Sequence, residues 1–220
     1  MAEITGYQIR KCTREECGLR YPLPNGARQS ARCPRCGAST RLILERSLEK
    51  ETVADNAGSG NLHLEVLLDN LRSAWNVGSI FRTADGLGIQ RLHLCGVTPT
   101  PDNPKVAKTS LGAEQYVLWC SHSDGLALAR DLKRQGFVLW ALEQDPRAIS
   151  LLDGNLEPPD GKLILAVGNE LAGVDPEILK LCEQVVYIPM RGMKRSFNVA
   201  VAFGIAAYML IHGIKSATHL

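Results

Sequence analysis

Leu163-Ile164-Leu165-Ala166-Val167 runs directly into Gly168-Asn169-Glu170-Leu171-Ala172-Gly173-Val174, and this stretch decides the fold. The first five residues are the most apolar strand candidate in the chain, and the glycine after them lets a backbone come close to a ligand. Glu170 stands just past a buried strand, where structure alone would ask of it only a salt bridge or a cap for the helix near Asp175. Outward from here, β-rich runs alternate with helical patterns. Strands are expected over 62–68, 91–95, 116–119, 137–142, 163–167 and 185–188. Helices are expected over 77–87, 124–134, 176–181 and 198–210, with a shorter one starting near Lys105. The alternation predicts an α/β fold, a mostly parallel sheet with helices on both faces. Such sheets bind ligands beyond the carboxyl ends of their strands, so the loops that follow strands matter most.

Upstream the composition changes twice. Residues 49–60 have almost nothing to bury and end in Gly and Ser, which reads as a linker between a module at 1–48 and a larger domain at 61–220. The module holds Cys12, Cys17, Cys33 and Cys36, spaced x4, x15 and x2. Two cysteine pairs on tight turns can surround one structural zinc ion tetrahedrally, and Gly37 lets the chain turn towards it. A module this small has little core, so metal binding would supply its folding energy. The remaining Cys95, Cys120 and Cys182 fall in or near strand and helix patterns and read as small core residues.

The 220 residues suit one domain plus such a module, and the net charge is only +2. Residues 1–50 carry ten Lys/Arg against five Asp/Glu, while the remainder carries fifteen against eighteen. A basic module on a mildly acidic domain hints at contact with phosphates. No apolar run is long enough to cross a bilayer and no targeting segment is evident, so a soluble cytoplasmic protein with no membrane partner is expected. Thiols stay reduced there, which favours metal over disulfides.

Two further loops carry chemistry. Asp69 to Asp85 follows a strand and opens a helix; it contains Asn76, which fits an N-cap, and Arg72 and Arg82, which could flank a phosphate at the helix N-terminus. Ile188-Pro189-Met190-Arg191-Gly192-Met193-Lys194-Arg195-Ser196-Phe197-Asn198-Val199 is a basic loop entering the last helix, with Ser196 or Asn198 as its cap.

Each loop alone has a structural explanation; the ordered set of three does not. Asn76-x-Gly78-x-x-x-Arg82-x-Ala84, Gly168-Asn169-Glu170-x-x-Gly173-Val174, and Ile188-Pro189-Met190 with Ser196-x-Asn198-Val199 together resemble the SpoU-type (TrmH-like) RNA 2′-O-ribose methyltransferases of the SPOUT class. The resemblance runs from about Leu62 to the end. Two positions depart from the family's habit, Phe197 where Leu is common and Ala200 where a second Ser is common.

The resemblance implies a C-terminal deep trefoil knot, an exception to the rule that chains avoid knots. It implies S-adenosylmethionine bound by Leu142, Gly168, Ile188, Met190 and Ser196, and a homodimer that shares its RNA-binding surface. The reaction implied is in-line attack of a ribose 2′-oxygen on the sulfonium methyl, on tRNA in preference to rRNA, with no metal in the step. Arg82 would stabilise the developing charge, an arginine being held protonated. Asn76 and Asn198 would orient Arg82 and the ribose, Glu170 would fix the loop and pair with Arg82, and Ser196 would meet cofactor or phosphate. Two readings compete: a SPOUT enzyme acting on a base nitrogen, which the Asn76/Arg82 pair disfavours, and a non-catalytic RNA-binding factor.

Overall fold

The computed structural model describes residues 6–25, 32–48, 62–153 and 156–213. The expected linker at 49–60 lies outside them. The chain divides into two compact units, Met1–Gly58 and Ser59–Leu220.

The first unit is a three-stranded antiparallel sheet of β1 (Gly6–Cys12), β2 (Arg20–Pro24) and β3 (Thr40–Ser47), in the order β2-β1-β3. Two tight turns close its cysteine end. Gly18 and Gly37 follow Cys17 and Cys36 with positive φ of 53° and 70°, a conformation that glycine adopts without a Cβ penalty. Their amides donate to Arg14 O and Cys33 O, at 3.0 and 2.9 Å. Among the described residues of this unit the buried apolar side chains are those of Cys12 and Cys33, while Leu42, Ile43 and Leu44 of β3 are exposed.

The second unit runs β4 (Leu62–Asp69), α1 (Ala74–Gly86), β5 (Arg91–Cys95), α2 (Pro104–Ser110), β6 (Leu118–His122), α3 (Gly125–Arg134), β7 (Val138–Leu142), β8 (Ile149–Ser150), β9 (Gly161–Val167), α4 (Pro176–Leu181), β10 (Gln184–Tyr187) and α5 (Val199–His212). Seven strands form one sheet in the order β6-β5-β4-β9-β7-β10-β8, and every pairing in it is parallel. Strand periodicity sorts the core. Leu163, Leu165 and Val167 of β9 point to the face covered by Phe81 of α1, Val106 of α2 and Phe203 of α5. Ile164 and Ala166 point to the other face, covered by Leu132 of α3 and Ile178 of α4. Helices therefore lie on both faces, as expected.

Three local expectations shift. The strand expected at 116–119 begins at Leu118, because a 3-10 turn at Ala113–Gln115 takes up the preceding residues and Tyr116 caps it. Asn76 is not the cap of α1. Ser73 is, with an extended backbone and a side chain that accepts from Asn76 N at 3.3 Å. Asn76 thereby sits in the first turn with its amide free to reach outward. Of the two caps considered for α5, Asn198 serves, accepting from Ala200 N at 3.0 Å.

Candidate active site

The carboxyl ends of β7, β9 and β10 are neighbours in the sheet, and the loops that leave them enclose a cavity of about 490 Å³. Leu142, Gly168, Ile188, Met190 and Ser196 all line it, with Glu170 and Asn198. So do Glu143, Asn169, Arg195 and Phe197. The wall is mixed, with apolar Leu142, Val167, Ile188, Met190 and Ala202 set against two carboxylates and one guanidinium. That volume and mixture suit a small molecule with both apolar and ionic parts. Phe197 is 39% exposed on this wall, so its extra bulk over leucine changes the mouth of the cavity rather than the core.

One hydrogen-bonded chain of side chains joins the three loops. Asn198 Nδ2 donates to Asn76 Oδ1 at 3.0 Å, and Asn76 Nδ2 donates to Glu170 Oε1 at 3.0 Å. Glu170 also accepts from the backbone amides of Arg72 at 2.9 Å and Ser73 at 3.1 Å. Its carboxylate thus occupies the anion position just ahead of α1, where donors converge. This corrects two expectations. That helix N-terminus is taken by Glu170 and not left open to a phosphate, and Glu170 pairs with Asn76 and backbone and not with Arg82. Burial raises the Glu170 carboxyl, but the bonds from Arg72 N, its own amide, Asn76 and Ser73 N outweigh burial and hold it below the ordinary value of 4.5.

Arg82 stands on the exposed side of α1, outside the cavity lining. Six residues of helix place it about two-thirds of a turn around from Asn76. Asn76 spends its amide on Glu170 and Asn198, so it does not orient Arg82 in this chain. Among the described residues Arg82 has no hydrogen-bond or ion-pair partner, which leaves its donors available. Ser196 is exposed on the loop before α5.

Gly168 serves the chain itself before any ligand. A Cβ there would lie 2.1 Å from Val174 N and 2.2 Å from Gly173 C. The reason is the tight reversal at 169–173, where Asn169 N donates to Gly173 O at 3.0 Å and Gly173 N to Asn169 O at 2.9 Å. Four further residues hold this loop; Asn169 belongs to the motif and Asp69 and Asn70 to the first loop, but sequence alone assigned none of the four this role. Asn169 Nδ2 donates to Asn70 O at 2.6 Å, and its Oδ1 accepts from Leu171 N and Ala172 N. Asn70 has a φ of 55° and its Oδ1 accepts from Val97 N. Buried Asp69 accepts from Asp175 N at 2.8 Å, and Glu143 from Val174 N at 3.0 Å. Asn70, Asn169 and the carboxylates stand at strand ends, and that position was the signal for Asn70, Asp69 and Glu143.

In the first unit the four sulfurs expected to bind metal come together. Cys12 and Cys36 Sγ are 3.5 Å apart, Cys17 and Cys33 Sγ 3.7 Å, and all four lie within 4.8 Å of one another. Tetrahedral Zn–S bonds of about 2.3 Å require S···S spacings of about 3.8 Å. Of the other cysteines, Cys95 and Cys182 are core residues as expected, whereas Cys120 is half-buried against two histidines.

Among proteins with known roles, a tRNA (guanosine(18)-2′-O)-methyltransferase of Thermus thermophilus is 35% identical over 147 residues, which cover 66% of this chain and 72% of the relative. The solved TrmH/SpoU tRNA modifying enzyme of Aquifex aeolicus is 28% identical, with a TM-score of 0.59 over 68% of this chain and 74% of its own. A structure described for 2-OH methylation of C/U34 on tRNA is 31% identical, with a TM-score of 0.59 over 69% of this chain and 95% of its own. The model of the SpoU rRNA Methylase family matches residues 63–208, a span that takes in the cavity and all three loops. The chain belongs to the SpoU rRNA Methylase family.

Proposed function

We propose that this protein methylates a ribose 2′-hydroxyl of tRNA, using S-adenosylmethionine. The observation that carries the reading is the chain Glu170–Asn76–Asn198, which ties the three family loops together at the mouth of the cavity. The relatives that act on tRNA ribose favour tRNA over rRNA. When bound, S-adenosylmethionine supplies an electrophilic methyl on a sulfonium. Leu142, Gly168, Ile188, Met190 and Ser196 would hold it, and the Glu143 and Glu170 carboxylates offer partners for its amino and ribose groups. Fixed loops align the reactants, which is where much of the rate in a displacement of this kind originates. Arg82, whose donors have no partner among the described residues, would offer them to the 2′-oxygen as charge develops on it.

A homodimer fits two observations. Helix α5 is apolar all round, with Phe203 and Leu210 buried but Val201 and Tyr208 50% and 57% exposed. Arg82 lies outside the cavity of its own chain, and a site shared between two copies would give it a target. A knot fits β10, which lies between β7 and β8 so that their connection must cross it; Glu143 N donates to Val186 O and Leu151 N to Tyr187 O. The domains are read as 1–48, 49–60 and 61–220, with structural zinc held by Cys12, Cys17, Cys33 and Cys36. No helix among the described residues is long and apolar enough to cross a membrane, and a cytoplasmic location is the reading that goes with action on tRNA.

Purified Arg82→Ala is expected to bind S-adenosylmethionine with normal affinity in calorimetry but to transfer no methyl to tRNA. Near-normal turnover would remove Arg82 from the mechanism. Methylation that leaves the modified nucleotide's phosphodiester open to alkaline cleavage would replace the ribose by a base nitrogen.

A further inference from the structure

Three potential metal donors meet on one face of the seven-stranded sheet, outside the lining of the cavity. His93 of β5 pairs with Cys120 of β6 in the parallel ladder, and His122 follows two residues later, so strand periodicity puts all three side chains on the same face. Cys120 Sγ lies 3.2 Å from His93 Nδ1 and 3.0 Å from His122 Nε2, and the two ring nitrogens are 3.3 Å apart. His93 is buried, while Cys120 and His122 are half-buried.

A carboxylate stands behind them. Glu65 of β4 is buried, and its Oε2 lies 2.7 Å from His93 Nε2; its Oε1 lies 2.9 Å from His63 Nε2. An ionised carboxylate only accepts, so Nε2 of His93 carries the hydrogen. Nδ1 of His93 is then a lone pair aimed at Cys120 and His122. A carboxylate that fixes an imidazole in this way is the usual support of a metal-bound histidine.

We infer that His93 Nδ1, Cys120 Sγ and His122 Nε2 form a zinc-binding site, with Glu65 orienting His93. Tetrahedral zinc with N at about 2.0 Å and S at about 2.3 Å sets N···N at about 3.3 Å and N···S at about 3.5 Å. The first spacing is already present, and the second needs the thiolate to withdraw by a few tenths of an ångström. A divalent ion, one thiolate and the Glu65 carboxylate sum to zero charge, so the set can be half-buried without an unpaired charge. Three protein ligands leave a fourth position for water. The ion would bridge β5 to β6, which among the described residues is the edge strand beside β5, and would fasten that edge.

The test uses the full chain, stripped with a chelator, reloaded with Zn2+ alone and passed through gel filtration before metal analysis. Wild type is expected to retain one zinc per chain more than Cys120→Ala and than His122→Ala. Glu65→Gln is expected to reach the wild-type stoichiometry at saturating Zn2+ but with affinity about 10–100-fold weaker. Zn2+ is also expected to protect Cys120 of the wild-type protein from alkylation, read by peptide mass spectrometry, which does not depend on any variant folding. Co2+ in place of zinc should show a thiolate charge-transfer absorption that Cys120→Ala reduces. Equal zinc content in wild type and both folded variants, or no protection of Cys120, would overturn the assignment in favour of a metal-free hydrogen-bond cluster.

Discussion

Asn76 and Asn198, 122 residues apart in the chain, share a side-chain hydrogen bond of 3.0 Å that joins the first turn of α1 to the cap of α5. Each residue has a second duty, Asn76 to Glu170 and Asn198 to its own helix. Removal of either therefore severs one loop from another.

Asn76→Ala removes two hydrogen bonds and is expected to destabilise the second unit by about 2 kcal/mol, at about 1 kcal/mol for each. Asn198→Ala removes the shared bond and a helix cap and should cost about the same. The double variant should cost less than the two single costs added, since the shared bond can be lost only once. Urea unfolding measures all three; strict additivity would show that the bond contributes nothing.

Glu170 gives the site a pH dependence. Its carboxyl is held below the ordinary value of 4.5, so its contribution is fully present above that pH and is lost as pH falls through the lower folded-state value. S-adenosylmethionine affinity should therefore weaken on the acid side. Glu170→Gln should bind weakly at neutral pH and lose that acid-side dependence. Calorimetry across the acidic range checks this, and parallel pH profiles would remove Glu170 as its source.

At Gly168 and Gly78 glycine is required for want of space. Gly168→Ala would place a Cβ 2.1 Å from Val174 N, a backbone atom that cannot swing aside. A loss of about 3 kcal/mol or more is expected, with S-adenosylmethionine binding abolished. Gly78→Ala would meet Thr109 Oγ1 at 2.0 Å and Val106 O at 2.5 Å where α1 packs on α2. Its cost, about 1–3 kcal/mol, should not be recovered by Thr109→Ala, because the Val106 carbonyl remains. Thermal melts of the single and double variants decide.

Zinc removal should act on the first unit. With little apolar burial there, loss of the zinc proposed for Cys12, Cys17, Cys33 and Cys36 is expected to unfold the sheet of β1, β2 and β3. Cys33→Ser should do the same. Hydrogen exchange of the full chain should show that unit deprotected while the strands around Leu163–Val167 keep their protection. Retained protection in the first unit after zinc removal would mean that its sheet does not depend on metal.

The sequence by itself determined the β/α alternation and the sheet's two-sided burial, because strand periodicity records which faces meet apolar neighbours. Apolar runs marked β4, β7 and β9, and paired cysteine spacing marked the four sulfurs. The ordered loop motifs marked Gly168, Glu170, Ser196 and Asn198 for one cavity. The two-residue β8 and the turn at Ala113–Gln115 left no such record, being too short for periodicity. Tertiary structure alone decided who bonds to whom. It gave the cap of α1 to Ser73, sent Asn76 to Glu170 and Asn198, left Arg82 without a partner among the described residues, and brought Glu143, Asp69 and Asn70 to the loop after β9. It also gathered His93, Cys120 and His122, whose alternation along two strands looks in sequence like ordinary core. Periodicity fixes the face a side chain points to, but hydrogen bonds and metal donors depend on strand order and register, which only the folded chain sets.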